Sequence, residues 1–298
     1  MSDRKSYGSP TAFRRALTDK LRTKAATSQW TLPELQRQMA YDRLLERLYL
    51  SDDSWVLKGA AALLARDIGV RATIDVDVYR ESSREAAEPE LREAAAADIG
   101  DWFSFEIGAA RRLGDGAGGV RLPATAYIGT SAWTSFRIDI VGAALRMTGK
   151  PEHVPPLARV VMPDVDQHGY RAYPLVDHVA DKVAAMFEVY GPTSAPSTRY
   201  KDLVDLVAIV DAASIEAAPQ LAALQSEGER RGVELPARFD VPDRELWVRG
   251  YPAEANRSLL QIALTLDGAL VVVRPFLDPL LEGTAQGMWD PAGGLWKP

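Results

Sequence analysis

The segment from Trp55 to Tyr79 constrains the fold more than any other part of the chain. Two short apolar stretches that are typical of buried strands flank an Ala- and Leu-rich stretch that is typical of a helix. The second strand carries Asp75 and Asp77. Because side chains two residues apart on a strand point to the same face, these carboxylates lie side by side. Like charges held that close repel each other, and a shared divalent cation is the usual reason for such a pair.

The ordinary alternative for an Asp-x-Asp pair is a solvated edge strand or a turn. Here the residues at 74, 76 and 78 are apolar and β-branched, which favours a central strand with the aspartates on its other face. Lys58 and Gly59 end the first strand, where a cation and a flexible turn can meet a phosphate. These residues together are typical of the phosphate- and metal-binding end of a nucleotide-handling enzyme.

Composition narrows the class of protein. The 298 residues are 47% hydrophobic and 26% charged, which is ordinary for a globular chain of one or two domains. The absence of cysteine excludes disulfides, thiolate nucleophiles and zinc–thiolate sites. The pattern shows neither a signal peptide nor a stretch suited to spanning a bilayer, so we expect a cytoplasmic protein without membrane contact.

Charge is distributed unevenly along the chain. The net charge of −6 argues against a broad nucleic-acid-binding surface, yet residues 1–50 contain ten Lys or Arg against five Asp or Glu. Part of this positive charge falls on or beside one predicted helix and could contact phosphates locally. The cations that we assign to such contacts are Arg14, Arg15, Lys20 and Lys24. The alternative is a solvated helix face.

Periodicity and turn residues predict a mixed sheet region followed by a helical region. The predicted strands are Trp55–Lys58, Thr73–Tyr79, Trp102–Ile107, Ala124–Ile128 and Ser135–Val141, with an edge strand at Arg159–Met162. The glycine cluster at 114–119 is interpreted as a hairpin loop. The predicted helices are Pro10–Lys24, Leu32–Leu50, Gly59–Ile68, Ser82 or Ser83 to Asp98, Leu175–Tyr190, Tyr200–Ala213, Glu216–Glu227, Ala253–Asp267 and Leu270–Leu281. The tail after Gly283 is rich in Gly and Pro, so we expect it to be loose.

A third acid, Asp139, occupies the polar face of the last predicted strand. Three carboxylates on neighbouring strands suit metal-assisted phosphoryl transfer, because two can hold Mg²⁺ and the third can complete the site or accept the proton of the attacking hydroxyl. Mg²⁺ prefers a few carboxylates plus phosphate oxygens, so no histidine is required. The alternative for Asp139 is an ion pair with Arg137 or Arg146.

A second charged cluster lies on the predicted helices. Lys182 could neutralise triphosphate charge, and Asp205 could orient it through a salt bridge. Lys201 and Asp202 share or adjoin the helix face that carries Asp205. The alternative is an ordinary ion pair between helices.

The order of these motifs resembles the AbiEii/MenT group of nucleotidyltransferase toxins, which are the toxic halves of toxin–antitoxin pairs. The likeness is carried by Lys58-Gly59, Asp75-x-Asp77, a later strand acid, a helical lysine and Arg-x-Lys-Asp-x-x-Asp-Leu, and it covers roughly residues 50–210. It implies a polymerase β-like mixed sheet domain with N-terminal helices at 1–165 and a helical domain at 166–298. The implied activity is transfer of a nucleotide from a nucleoside triphosphate with Mg²⁺, or with Mn²⁺ as an alternative. In the MenT branch the acceptor is the 3′ end of tRNA, whose extension blocks aminoacylation and translation.

The resemblance also implies roles for individual residues. It makes Asp75 and Asp77 the metal-binding pair, Asp139 the third acid, and Lys182 and Asp205 residues of the helical-domain motifs. The residues assigned to nucleotide or phosphate binding are Lys58, Gly59, Arg71, Thr73, Lys201 and Asp202. We hypothesise that a phosphate on Thr73 would silence the metal site, the alternative being a residue chosen for strand propensity. An antitoxin is the implied protein partner.

Two departures from the family pattern bear on this interpretation. Gly59-Ala60 stands where the superfamily usually has Gly-Ser, and fourteen residues separate Ala60 from Asp75. Two other functions therefore stay open. One is transfer to a protein hydroxyl by a protein-nucleotidylating or phosphorylating enzyme, which the acidic composition favours. The other is a non-catalytic nucleotide-binding scaffold, which the missing serine hydroxyl favours.

Overall fold

The computed structural model describes residues 6–69, 71–80, 84–113, 119–141, 147–189 and 195–298. The chain forms two compact units. The first unit consists of Met1–Arg66, Ala72–Leu145 and Glu152–Ala172. The second unit consists of Asp67–Arg71, Arg146–Pro151 and Tyr173–Pro298. The division at residues 165 and 166 stays a prediction.

The first unit is built on a mixed sheet. Its strands are β1 (Val56–Lys58), β2 (Asp75–Tyr79), β3 (Phe103–Ile107), β4 (Arg111–Arg112), β5 (Val120–Ile128), β6 (Ser131–Val141), β7 (Glu152–Val154) and β8 (Tyr170–Ala172). Within the described residues, the strand order is β3-β5-β6-β2-β1-β8-β7, and β4 pairs with β5. The pairs β2–β6 and β1–β8 are parallel, and the other pairs are antiparallel. This arrangement confirms the predicted mixed α/β fold class.

Alternation of side chains gives this sheet one apolar face. Val76 and Val78 of β2 and Ile138 and Ile140 of β6 are buried in the core, with 1% of their surface exposed at most. The residues between them on each strand are polar and lie on the other face. The packing helices of this unit are α1 (Pro10–Ala25), α2 (Leu32–Ser51), α3 (Gly59–Ala65) and α4 (Arg84–Ala96). Burial of the apolar face thus decides which face carries the acids.

Helix α2 is amphipathic in an unusual way, because it buries charged as well as apolar residues. Its first turn is capped by Thr31, whose backbone N–H donates to Glu34 Oε2 at 2.7 Å. Further along, Arg43 Nε and Arg47 Nη2 donate to the two oxygens of Asp101 at 2.7 Å each, and all three side chains are at most 1% exposed. Burial opposes the charge of this carboxylate, but the two guanidinium groups outweigh burial and lower the pKa of Asp101.

The second unit is mainly helical. Its helices are α5 (Leu175–Phe187), α6 (Tyr200–Ala212), α7 (Ala217–Arg231), α8 (Arg244–Ala255) and α9 (Leu266–Leu281). Helix α5 packs on α6 and α7, and α6 packs on α8 and α9. Trp247 lies in the interior of this unit, where its indole N–H donates to the backbone oxygen of Ser197 at 2.9 Å.

The tail after Gly283 is ordered, so the prediction of a loose end was wrong. Strands β9 (Met288–Asp290) and β10 (Leu295–Lys297) form an antiparallel hairpin. Its Trp289 is buried against Phe276, with ring centroids 5.2 Å apart, and donates to the backbone oxygen of Val210 at 2.8 Å. The buried indole anchors a segment whose composition alone indicates disorder.

Two other predicted elements were also wrong. Residues 256–264 are not helical, because Ser258 Oγ bonds the Ala255 oxygen and the Leu260 N–H in a turn, and Thr265 then caps a new helix. Arg159–Met162 forms no edge strand, and β7 and β8 extend that side of the sheet instead. The glycine loop interpretation at 114–118 lies outside the described residues. No helix in the described part of the chain is both long and apolar enough to cross a membrane.

The buried arginine pair yields a stability prediction. Asp101→Ala leaves two guanidinium groups in the core without their carboxylate, so we expect the free energy of unfolding to fall by about 3 to 5 kcal/mol. The measurement is urea unfolding at neutral pH. Asp19→Ala is the control, because Asp19 binds Arg22 with both side chains more than 60% exposed, and it should leave stability nearly unchanged. Equal effects of the two substitutions would contradict the assignment.

Candidate active site

The acids of the sheet meet through the pairing of β2 with β6. The two strands run parallel, with Asp77 opposite Asp139 and Asp75 opposite Arg137. Residues paired across neighbouring strands present their side chains on the same face, and so do residues two apart on one strand. The three aspartates therefore form one group on the polar face, although Asp139 is 62 residues beyond Asp77 in the chain.

Strand β1 adds a cation to this group of aspartates. Antiparallel pairing places Lys58 opposite Asp77, so the predicted phosphate-binding lysine lies beside the predicted metal-binding acid. Gly59 follows with a φ of +62°, a conformation that favours glycine. A Cβ atom at Gly59 would lie 1.8 Å from Asp77 Oδ2. Glycine is therefore required here both by backbone conformation and by the close approach of the Asp77 carboxylate.

Two arginines bind two of the three acids. The Arg121 guanidinium donates through Nε and Nη2 to both oxygens of Asp139, at 2.7 and 2.6 Å. Arg137 Nε donates to Asp75 Oδ1 at 2.6 Å. The hydrogen bond to Asp139 and the negative charges of all three aspartates raise the pKa of Arg121, while partial burial opposes them. The acid group is thus neutralised in part by cations from its own sheet.

The donor set suits a hard divalent cation, since it offers carboxylate oxygens from adjacent strands. In the described residues, however, no group of three or more Asp, Glu or His side chains is arranged as a metal site. Both oxygens of Asp139 accept from Arg121, and Asp75 accepts from Arg137. The donors are carboxylate oxygens of the kind that Mg²⁺ or Mn²⁺ binds, and the arginines hold oxygens of Asp139 and Asp75 in this structure.

Thr73 precedes β2, and its hydroxyl already has a structural role. The side chain is 8% exposed; its hydroxyl donates to the Asp75 backbone oxygen at 2.9 Å and accepts from the Asp75 N–H at 3.1 Å. The Thr73 carbonyl accepts from the Tyr41 hydroxyl at 2.9 Å. These bonds hold the start of the acid-bearing strand. The phosphorylation hypothesis for Thr73 stays a prediction.

The helical cluster of the second unit is assembled around Lys182. Lys182 Nζ donates to Asp205 Oδ2 at 2.6 Å and to Asp202 Oδ1 at 3.1 Å, and Arg71 Nε lies 3.6 Å from Asp205 Oδ1. Burial opposes the charge on Lys182, but the two carboxylates outweigh it and raise the lysine pKa. In the same way, burial opposes the charge on Asp202, and the cations Lys182 and Arg199 lower its pKa. Lys182 and Asp202 therefore carry their charges at neutral pH.

A cavity of about 340 Å³ opens beside this cluster. Its lining has three cations and two acids among seven residues: Arg71, Thr198, Arg199, Tyr200, Lys201, Asp202 and Glu254. The structure thus brings the predicted residues Arg71, Lys201 and Asp202 together at one cavity within the second unit.

The basic residues of α1 are largely engaged within the first unit. Arg14 donates to the Ala132 carbonyl at 2.9 Å and stacks on Trp133. Lys20 Nζ donates to the Val161 carbonyl at 2.8 Å, and Lys24 Nζ donates to the Ala158 carbonyl at 2.6 Å. The remaining predicted residue, Arg15, is exposed. Three of the four cations therefore help to dock α1 on its own unit.

Sequence reasoning missed Arg121. It offered an ion pair with Arg137 or Arg146 as the alternative role of Asp139, whereas Arg137 binds Asp75 and Asp139 is paired with Arg121. The signal available in the sequence was the alternation of Arg121 with Val120 and Leu122, which places the arginine on the polar face of a strand. Its partner depends on the register of β5 against β6, which sets Arg121 opposite Asp139. That register was not readable from local pattern.

The contact between Gly59 and Asp77 can be tested by adding one methyl group. We expect Gly59→Ala to cost about 1 to 2 kcal/mol for the left-handed backbone plus about 1 to 3 kcal/mol for the clash, and to displace the Asp77 side chain. Gly100→Ala is the matched control, because Gly100 has a φ of +80° with no neighbouring atom within 4 Å. Urea unfolding and crystal structures of both variants are the measurements. Equal destabilisation with Asp77 in place would refute the contact.

The sequence and the structure of this chain are similar to those of known proteins. A family model described as nucleotidyl transferase AbiEii toxin, type IV TA system, matches residues 43–278. No curated protein matches the chain.

Similar solved structures include JHP933 from Helicobacter pylori, with 15% identity, a TM-score of 0.46, and coverage of 83% of this chain and 94% of the other. The nucleotidyltransferase toxin MenT4 (Rv2826c) from Mycobacterium tuberculosis H37Rv has 17% identity, a TM-score of 0.48, and coverage of 80% and 87%. A putative nucleotidyltransferase from H. pylori has 14% identity, a TM-score of 0.47, and coverage of 82% and 96%. Because the family model covers most of the chain, the protein belongs to the AbiEii family of nucleotidyltransferase toxins.

Proposed function

We propose that this protein transfers a nucleoside monophosphate from a nucleoside triphosphate to the 3′ end of tRNA, and so blocks aminoacylation and translation. The observation that carries the proposal is the group of acids on the polar face of the sheet. Asp77 lies opposite Asp139, Asp75 lies two residues before Asp77 on the same face, and Lys58 lies opposite Asp77 on the other side. Family membership supports nucleotidyl transfer as the reaction class.

The reaction joins the acceptor 3′-oxygen to the α-phosphorus and breaks the bond from the α-phosphorus to the oxygen that bridges to the β-phosphate. Asp75, Asp77 and Asp139 would hold the divalent cation, Mg²⁺ or Mn²⁺, which when bound stabilises the negative charge that develops on the phosphoryl oxygens. One of the three carboxylates accepts the proton of the attacking hydroxyl. Lys58 offsets charge on the departing pyrophosphate.

The helical cluster holds the ammonium group of Lys182 in a fixed position. Lys182 is 8% exposed and is held by Asp202 and Asp205, so its ammonium group cannot move freely between partners. We assign to Lys182 the neutralisation of triphosphate charge and to Asp205 its orientation. Arg71 and Lys201, which line the neighbouring cavity, are assigned to phosphate contact.

A protein hydroxyl is the second candidate acceptor. The observation that favours it is that Arg14, Lys20 and Lys24 donate to backbone carbonyls of their own unit, which leaves fewer cations for tRNA phosphates. The net charge of −6 points the same way. Family membership supports an antitoxin as the protein partner. We propose the cytoplasm as the site of the reaction under either acceptor.

Labelling the acceptor tests both reaction and substrate. The full chain is incubated with Mg²⁺, total tRNA and each α-³²P-labelled triphosphate in turn, and we expect label on tRNA with one or a few triphosphates. Asp77→Asn should lower the rate by about 100-fold or more, because it removes one carboxylate of the metal-binding row. Asp211→Asn is the matched control, since Asp211 is exposed on α6, and it should keep full activity.

Label on protein instead of tRNA would replace the first candidate by the second. Nucleotide binding without label on either acceptor would refute both and support a non-catalytic scaffold.

Salt dependence tests the tRNA contact at α1. Arg15→Gln removes one exposed cation of this helix, so we expect tRNA binding about two- to threefold weaker at low salt, with a slope of log affinity against log salt smaller by about 1. Fluorescence anisotropy of labelled tRNA at several salt concentrations is the measurement. Arg22→Gln is the comparison, because Arg22 is paired with Asp19 on the same helix. An unchanged slope for Arg15→Gln would remove α1 from the tRNA interface.

A further inference from the structure

The polar face of the sheet contains cations as well as acids. Arg121 lies opposite Asp139 in the register of β5 with β6, and Arg137 lies opposite Asp75 in the register of β6 with β2. Both pairs are closed by short hydrogen bonds, the Arg121 pair through two parallel bonds of 2.7 and 2.6 Å. Each arginine thus binds an acid that the proposed function assigns to the metal.

The arginine ends of these pairs are open to water. The side chains of Arg121 and Arg137 are 34% and 39% exposed, whereas their partners Asp139 and Asp75 are 8% and 28% exposed. Water and salt screen the guanidinium groups, so these pairs contribute less to folding than a fully buried pair. By contrast, Arg43 and Arg47, at most 1% exposed, form the structural pair of this unit. The guanidinium groups of Arg121 and Arg137, unlike those of Arg43 and Arg47, can therefore be reached by a ligand from water.

A guanidinium and a divalent cation compete for the same oxygens. Both oxygens of Asp139 accept hydrogen bonds from Arg121, so an ion that takes either oxygen must displace at least one of these bonds. Three carboxylates, the two guanidinium groups and the ammonium group of Lys58 leave a net charge of zero, which attracts a lone divalent cation less than three unpaired carboxylates would. The face is therefore poorly suited to binding metal by itself.

A metal ion that arrives bound to a triphosphate provides new partners for both the carboxylates and the arginines. The ion supplies a partner for the carboxylates, and the phosphate oxygens supply partners for the displaced arginines. Arginine is well suited to this second role, because its planar fork binds phosphate through two parallel hydrogen bonds.

We propose that Arg121 and Arg137 exchange partners during substrate binding, holding Asp139 and Asp75 in the free protein and binding the triphosphate once the metal occupies those carboxylates. This inference rests on the proposed function, since it concerns the same acids. It adds two phosphate-binding residues and makes metal and triphosphate bind cooperatively, each more tightly in the presence of the other.

The test measures the two ligands separately on the full chain. The first probe is Mn²⁺ alone, with the free ion quantified by its electron paramagnetic resonance signal. Arg121→Gln removes the competing charge, so we expect Mn²⁺ to bind about three- to tenfold more tightly than to the unmodified protein. The matched control is Arg112→Gln, because Arg112 is exposed on β4 and pairs in register with Val120, which lies on the face away from the acids. It should leave the Mn²⁺ affinity unchanged.

The second probe is inorganic tripolyphosphate in the presence of Mn²⁺, followed by isothermal titration calorimetry. Here Arg121→Gln should weaken binding by about tenfold, because a phosphate-binding fork is lost. Arg121→Lys keeps the charge without the planar fork, so its affinity for tripolyphosphate should lie between those of the unmodified protein and Arg121→Gln. Opposite changes with the two probes are the signature of exchange. Arg137→Gln is run in parallel, and thermal unfolding of each variant verifies the fold.

The remaining outcomes overturn either the exchange or the proposed function, and they are distinguishable. If Arg121→Gln and Arg137→Gln bind Mn²⁺ no better and tripolyphosphate no worse, the exchange is wrong. Weaker Mn²⁺ binding in both would show that the arginines only position the carboxylates, which also overturns it. If the unmodified protein, the arginine variants and Asp77→Asn all bind Mn²⁺ equally, the acids hold no metal and the proposed function itself fails.

Discussion

The parallel pairing of β2 with β6 decides how the charged side chains of this protein are arranged. It sets Asp77 opposite Asp139 and Asp75 opposite Arg137, and the neighbouring registers add Lys58 and Arg121 to the same face. The pairing is held in place by the other face, where the apolar residues of both strands are buried. A slip of one residue would turn the acids into the core and the valines and isoleucines into water, so burial of the apolar face protects the site.

The two charged clusters pair their neighbouring carboxylates with cations in different ways. In the second unit, Lys182 lies between Asp202 and Asp205 in the interior, where the two carboxylates outweigh burial and raise the pKa of Lys182. In the first unit, the arginine ends of the pairs are partly exposed, although Asp139 itself is buried. A buried ion pair is costly to break, whereas an exposed pair exchanges easily. The first arrangement suits a permanent charge, and the second suits a surface that must accept a ligand.

Long periodic segments were the ones that the sequence predicted well. Helix α2 was predicted over Leu32–Leu50 and extends over Leu32–Ser51, because its apolar spacing and its Thr31 cap agree. The strands β7 and β8 were missed, since three residues are too few to show alternation. The apolar residues at 259–264 suggested a helix, but the turn at Ser258 and the cap at Thr265 prevail. The hairpin after Gly283 depends on where Trp289 packs, which composition does not reveal.

The sequence by itself determined which residues of each strand are polar, and therefore that Asp75, Asp77 and Asp139 avoid the core. The sequence also indicated the family, because the short motifs that carry the resemblance can be identified in their order along the chain. Only the tertiary structure decided that Asp139 lies opposite Asp77, that Arg121 binds Asp139, and that Gly59 leaves room for the Asp77 carboxylate. The reason is physical. Side-chain alternation is a property of one strand, whereas the register between strands far apart in the chain is set by the packing of the whole sheet.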